Sequence, residues 1–189
     1  MTTRGDGAVV ALPLFHEDDG GSIPTSPLQL RFRGCDVHQA ESLNNRWHSR
    51  FPHIDKQLLR GDWAHCFVAQ YGNLLLAVGI WSRPIAANRM RDGDRLLELR
   101  RFAVCSDAPK NTASRMLGWM VREVSRIHPG LLRVVSYQDT SVHAGTIYKA
   151  CGWTPVSRSK FVDWNTHGQV KGRVTQSTAD KIRWEKQIR

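Results

Sequence analysis

Seven apolar residues, Ala113, Met116, Leu117, Met120, Val121, Val124 and Ile127, recur at helical spacing between Thr112 and His128, and Pro129-Gly130 stops the pattern. A helix with one apolar stripe needs a surface to cover, and strand-like runs surround this one. Arg95–Val104, rich in Leu, Phe and Val, precedes it and Leu131–Tyr137 follows it. Further upstream, Leu28, Leu30 and Phe32 alternate with Gln29, Arg31 and Arg33, which predicts a half-buried strand ended by Gly34. Asp36 is placed to cap a helix over Val37–Ser49, where Val37, Ala40, Leu43 and Trp47 share a face. His65–Tyr71 and Leu74–Trp81 flank Gly72-Asn73, which predicts an antiparallel hairpin. Arg83–Asp94 is polar and reads as a loop. After Tyr137, the spacing predicts a short helix over Ala144–Cys151 and a final pair of strands, Gly152–Val156 with Lys160–Trp164.

A chain of 189 residues has room for one domain with a sizeable core. Residues 1–27, with Asp18-Asp19-Gly20-Gly21, Pro24 and Pro27, read as an irregular arm carrying a net charge of −3. The domain is expected over 28–164, followed by a basic tail over 165–189. Overall the 27 Lys and Arg exceed the 17 Asp and Glu by ten, and 20 of those cations are Arg. The planar Arg fork grips phosphate oxygens two at a time, so the balance points to a phosphate-bearing partner. Cys35, Cys66, Cys105 and Cys151 lie far apart without zinc-site spacing and are expected to be reduced. The longest apolar run, Leu74–Ile80, is far short of a membrane span, and the N-terminus has no signal-peptide pattern, which together predict a cytoplasmic protein.

The element order resembles that of the GNAT acyltransferases, and Tyr148-x-x-x-Gly152-Trp153 resembles that family's Tyr-x-x-x-Gly-aromatic signature. The resemblance implies an α/β (α+β) fold with a mixed, largely antiparallel central sheet flanked by helices. It also implies a donor, acetyl-CoA or another acyl-type molecule, between Arg95–Val104 and Leu131–Tyr137, with Tyr148 as proton donor to the leaving group. One departure stands out. The family's glycine-containing pyrophosphate loop is replaced by Asp107-Ala108-Pro109-Lys110-Asn111-Thr112-Ala113-Ser114-Arg115. Helix-start amides supplemented by Lys110, Asn111, Ser114 and Arg115 can still bind an anion; alternatively Asn111 or Thr112 merely caps the helix.

A narrower resemblance is carried by Leu99-Arg100-Arg101-Phe102, Asn111-x-x-Ser114-Arg115-x-x-Gly118-Trp119, Val135-Ser136-Tyr137-x-Asp139-Thr140 and His143-x-Gly145-x-Ile147-Tyr148-Lys149-Ala150. These motifs resemble the Mom DNA-modification proteins of phages. That resemblance implies transfer of a carbamoylmethyl group to the exocyclic amine of adenine in double-stranded DNA, protecting phage DNA from restriction, and leaves room for a homodimer. The adenine amine is a poor nucleophile and needs an acceptor for its proton, for which Asp139 is the candidate, with an Asx turn as its ordinary alternative. Ser114 is a candidate hydroxyl ligand and Arg101 a cation facing the site, with Arg100 on the opposite side of the strand if alternation holds. His48, near the end of the first helix, is a candidate base or, with His53, a metal ligand, against a plain helix-end histidine. Because carbamoylmethyl attaches through a methylene carbon, an added cofactor such as iron is conceivable. A base must leave the duplex to react, and Trp47, Trp63 and Tyr137 are candidates to stack on it. Arg100, Lys171 and Arg173 are expected to contact DNA. For the tail, Ile182, Trp184 and Ile188 offer an alternative, a docked final helix or strand. Two other function classes stay open: an N-acetyltransferase acting on a small amine or protein, and a non-catalytic domain that coats nucleic acid.

Overall fold

A computed structural model describes residues 23–48, 59, 61–84, 89, 91–159 and 180–188. Seven strands form one sheet: β1 (Arg31–Gly34), β2 (His65–Tyr71), β3 (Leu74–Ser82), β4 (Leu96–Val104), β5 (Arg133–Asp139), β6 (Thr154–Ser159) and β7 (Lys181–Gln187). Their order is β1-β2-β3-β4-β5-β7-β6, parallel between β4 and β5 and antiparallel at the other junctions. Among the described residues three helices accompany them: α1 (Val37–Trp47), α2 (Thr112–Ile127) and α3 (Thr146–Ala150). This is the expected mixed, largely antiparallel sheet flanked by helices. Among the described residues, no helix is long and apolar enough to cross a membrane.

The local chemistry accounts for the elements. The Asp36 carboxylate accepts from the Gln39 amide at 2.8 Å and starts α1. Gly72, at φ +52°, turns β2 into β3. On α2, Met116, Leu117, Met120 and Val124 are fully buried against one side of the sheet, each contributing roughly 1.5–3 kcal/mol. Gly79 on β3 lets α2 come close, since a Cβ there would overlap the Met120 sulfur. The opposite side of the sheet carries a smaller cluster, Ala40 of α1 with Val68, Val78, Ile80 and Ala103.

Two expectations need correction. The first strand begins at Arg31, because Pro27–Gln29 forms a 3-10 turn with a capping box. Ser26 Oγ accepts from the Leu28 amide at 3.2 Å, and the Gln29 side chain accepts from the Ser26 amide at 2.9 Å. Leu28 is consequently exposed. The second correction concerns the C-terminal strands. The expected partner Lys160–Trp164 lies outside the described residues, and β6 pairs with β7, which is inserted between β5 and β6. Residues 181–187 are therefore a docked strand and not a loose arm. Trp184 is buried against the core and Ile182 packs beside it, while Arg183 and Glu185 take the other face.

Candidate active site

β4 and β5 pair from Leu96↔Arg133 to Leu99↔Ser136, and there the pairing stops. β4 continues to Val104 and β5 to Asp139, so a split opens between their carboxyl ends. Tyr148 of α3 reaches this apex. Its hydroxyl lies 3.0 Å from Ser136 Oγ, which donates to the Leu99 carbonyl at 3.3 Å. Trp184 stacks on the Tyr148 ring at 5.3 Å and Trp153 meets it edge-on at 5.5 Å. Burial raises the phenol's pKa, so it is protonated at neutral pH.

Alternation along β4 breaks beside the same split. The register slips so that Trp81 faces Leu99 while Ile80 faces Arg101, leaving Arg100 as the extra residue of a bulge. Before the bulge, Leu97 and Leu99 belong to the α2-side core; after it, Phe102 and Val104 do, while Ala103 faces the α1 side. Arg100 and Arg101 thus share the α1 side, which corrects the expectation that they point apart. Arg100 Nη1 is paired with Glu98 at 2.6 Å, and Arg101 Nη1 donates to the Arg100 carbonyl at 2.8 Å. Burial and the neighbouring Arg100 lower the Arg101 pKa to about 10, which leaves it charged at neutral pH.

His48 follows α1 directly and sits close enough to Arg101 and His143 for their charges to act on it. Burial first, then those two groups, lower its pKa to about 4, so the imidazole is neutral at physiological pH. Asp139 shows the Asx turn: its Oδ1 accepts from the Ser141 amide at 2.9 Å and the Ser141 hydroxyl at 2.6 Å. Its carbonyl accepts from the Val142 and His143 amides, which folds the loop that carries His143. Gln138, buried on β5, donates to the His143 carbonyl and accepts from Trp184 Nε1 at 2.7 Å. Ser136, Gln138 and His143 had no assigned role in the sequence reading. Ser136 and His143 do stand inside its Mom-like motifs, whereas Gln138 fell on an unassigned position.

The start of α2 faces the other candidates. Asn111 occupies the capping position at φ +69° without a side-chain cap bond, so the capping alternative fails for its side chain. Thr112 Oγ1 donates to Pro109 O at 2.7 Å and Ser114 Oγ to Asn111 O at 3.1 Å. The Ser114 carbonyl accepts from Cys151 Sγ at 3.0 Å, tying α2 to α3. Lys110 is exposed, and Arg115 lies over the Phe32 ring at 5.7 Å. Trp47 packs under α1. Trp63 stacks on His128 at 3.9 Å, at the end of the sheet away from the split. Tyr137 is 38 % exposed on the α1 side, hydrogen-bonded by Arg89. His53, Lys171 and Arg173 lie outside the described residues. Among the described residues, no group of three or more His, Cys, Asp or Glu side chains could hold a metal ion, so the iron expectation finds no site to fit.

The sequence pattern of the Mom protein family matches residues 31–188. The chain belongs to the Mom protein family. No curated protein matches this Mom-family chain, but solved structures share its fold. An acetyltransferase from Bacillus subtilis in complex with CoA superposes with a TM-score of 0.60 at 15% identity, over 84% of this chain and 99% of that one. A spermidine N-acetyltransferase from Vibrio cholerae, in complex with CoA and spermine, gives 0.59 at 12% identity over 85% and 96%. A GNAT family acetyltransferase from Elizabethkingia anophelis with acetyl-CoA bound gives 0.57 at 11% identity over 85% and 99%. The Mom-family chain therefore has the fold of the GNAT acetyltransferases.

Proposed function

We propose that the chain is a transferase that places a carbamoylmethyl group on the exocyclic amine of adenine in double-stranded DNA. The observation that carries this reading is the split beyond Leu99↔Ser136, with a protonated Tyr148 at its apex and the neutral His48 beside Arg101 on the adjoining face. In this reading, the split and the uncapped start of α2 receive a CoA-type donor, with the α2 amides, Lys110 and Ser114 toward its pyrophosphate. The amine nitrogen forms a bond to the donor's methylene carbon, and that carbon's bond to its leaving group breaks. The electron pair departs with the leaving group, Tyr148 supplies it a proton, and His48 takes the proton lost by the amine. Arg101 stabilises the charge that develops on the departing group. Asp139 and Gln138 are positioning residues that fold and hold the His143 loop.

Acetyl-CoA carries its leaving thiolate on the carbonyl carbon and would deliver an acetyl group instead. Mass spectrometry of nucleosides from the DNA of expressing cells separates these outcomes. A 2′-deoxyadenosine heavier by a carbamoylmethyl group is expected. Unmodified deoxyadenosine, with thiol release from acetyl-CoA and a small amine in vitro, would transfer the assignment to an amine N-acetyltransferase.

A further inference from the structure

α1 covers β2, β3 and β4, and on the same side of the sheet β5 and β7 present a different surface. Three arginines converge there on one buried carboxylate. Arg133 Nη1 lies 2.9 Å from Glu185 Oε2, and Arg183 Nε lies 3.0 Å from Oε1. Arg89 Nη1 is 3.8 Å from Oε1, and Arg133 Nη2 is also paired with Asp92 at 2.6 Å. Three guanidiniums offer about fifteen N–H donors, while two carboxylates accept about eight. Donors are left over. The Arg183 Nε–Glu185 Oε1 contact is misaligned for a hydrogen bond, and Arg183 Nε and the nearby Arg100 Nε are buried without a hydrogen-bond partner. Even with both carboxylates ionised, the three-arginine group keeps one positive charge in excess.

Its position gives that excess a use. Glu185 is the cross-strand neighbour of Val135, two residues before Tyr137, hence roughly 7 Å from it along β5. Tyr137 is exposed next to the mouth of the split, and Arg89 joins the two, contacting both Glu185 and the Tyr137 phenol. We propose that Arg183, Arg133 and Arg89 form a phosphodiester subsite that grips the DNA backbone beside the flipped nucleotide, and that Glu185 is the internal carboxylate with which the phosphate competes for the three forks. This assignment rests on the DNA reading above. It concerns register and affinity, not the chemistry at the amine.

The test is duplex DNA binding by the full chain, followed by fluorescence anisotropy across a series of salt concentrations, for wild type, Arg183→Gln and Glu185→Gln. Arg183→Gln is expected to weaken binding to all sequences alike and flatten the log–log salt slope by about one. Glu185→Gln removes the competing carboxylate, so it is expected to tighten binding and steepen the slope. Loss of structure cannot produce that opposite pair. If Arg183→Gln melts below the assay temperature, Glu185→Gln with Arg183→Lys decides. Wild-type slope in both variants, with wild type binding DNA steeply, overturns the subsite and leaves the DNA reading intact. A wild-type chain that neither binds duplex at low salt nor modifies adenine overturns both.

Discussion

At Tyr148, two roles meet in one side chain and separate under substitution. Phe preserves the ring stacked on Trp184 but removes the hydroxyl, and Ser136 Oγ keeps its bond to the Leu99 carbonyl. Tyr148→Phe should cost about 1 kcal/mol of stability or less, yet lower adenine modification by about 10²–10⁴-fold, read by urea unfolding and nucleoside mass spectrometry. Gly145 behaves differently. It sits at φ +72°, and an added Cβ would lie 2.6 Å from Gln138 Oε1 and 2.7 Å from Trp184 Cζ2. Gly145→Ala should destabilise by about 2–4 kcal/mol in urea, combining left-handed strain with overpacking. Tyr148 and Arg101 were readable as candidates because motif and position coincide in the sequence, and His48 only by its place near the end of the first helix. Gln138 was not, since its value lies in joining Trp184 to His143, 46 residues and five residues away, a link no local pattern encodes.

Among the elements, β7 shows why a short strand hides in a charged segment. Only Ile182 and Trp184 face the core, and the intervening Lys181, Arg183 and Glu185 make the run read as a solvated tail. Truncation before Lys181 should abolish the cooperative thermal transition, because it bares β5, strands β6 and removes Trp184 from Tyr148. The β4 bulge was equally illegible, since a register slip depends on the partner strand. Helix α2, by contrast, was legible nearly to the residue. Its far end makes a pH prediction. His65 and His128 face each other Nε2 to Nε2 at 2.6 Å, a contact that needs at least one neutral ring. Burial and then His128 lower the His65 pKa below 6.5, and His48 falls to about 4. The folded state therefore binds fewer protons than the unfolded chain in this window. Stability should be full above pH 6.5 and decline as pH falls toward 4, measured by urea midpoints. His65→Gln should shallow that decline.

For the molecule as a whole, the proposed function assigns the donor to the GNAT fold and a phosphate-bearing acceptor to the net charge of +10. The donor side can be probed without turnover. If a CoA-type molecule fills the split, CoA at a hundred times its Kd should add about 2.7 kcal/mol of stability in a chemical melt, and no shift would direct the search to a donor lacking CoA. Fold and family were largely legible in the sequence, because the element order and ordered motifs survive where single positions drift. The placement of the C-terminal strand was not.

That placement also sets a schedule for biosynthesis. A nascent chain emerges from its amino end, but the strand that lies between β5 and β6 is made after both. Until residue 188 has cleared the ribosome, β5 waits with an unpaired edge, Tyr148 lacks its stacking partner and the arginine triad lacks Arg183 and Glu185. Synthesis halted anywhere before that point yields an edge-exposed polypeptide prone to self-association. The supply of folded protein in a cell therefore counts only chains made through β7.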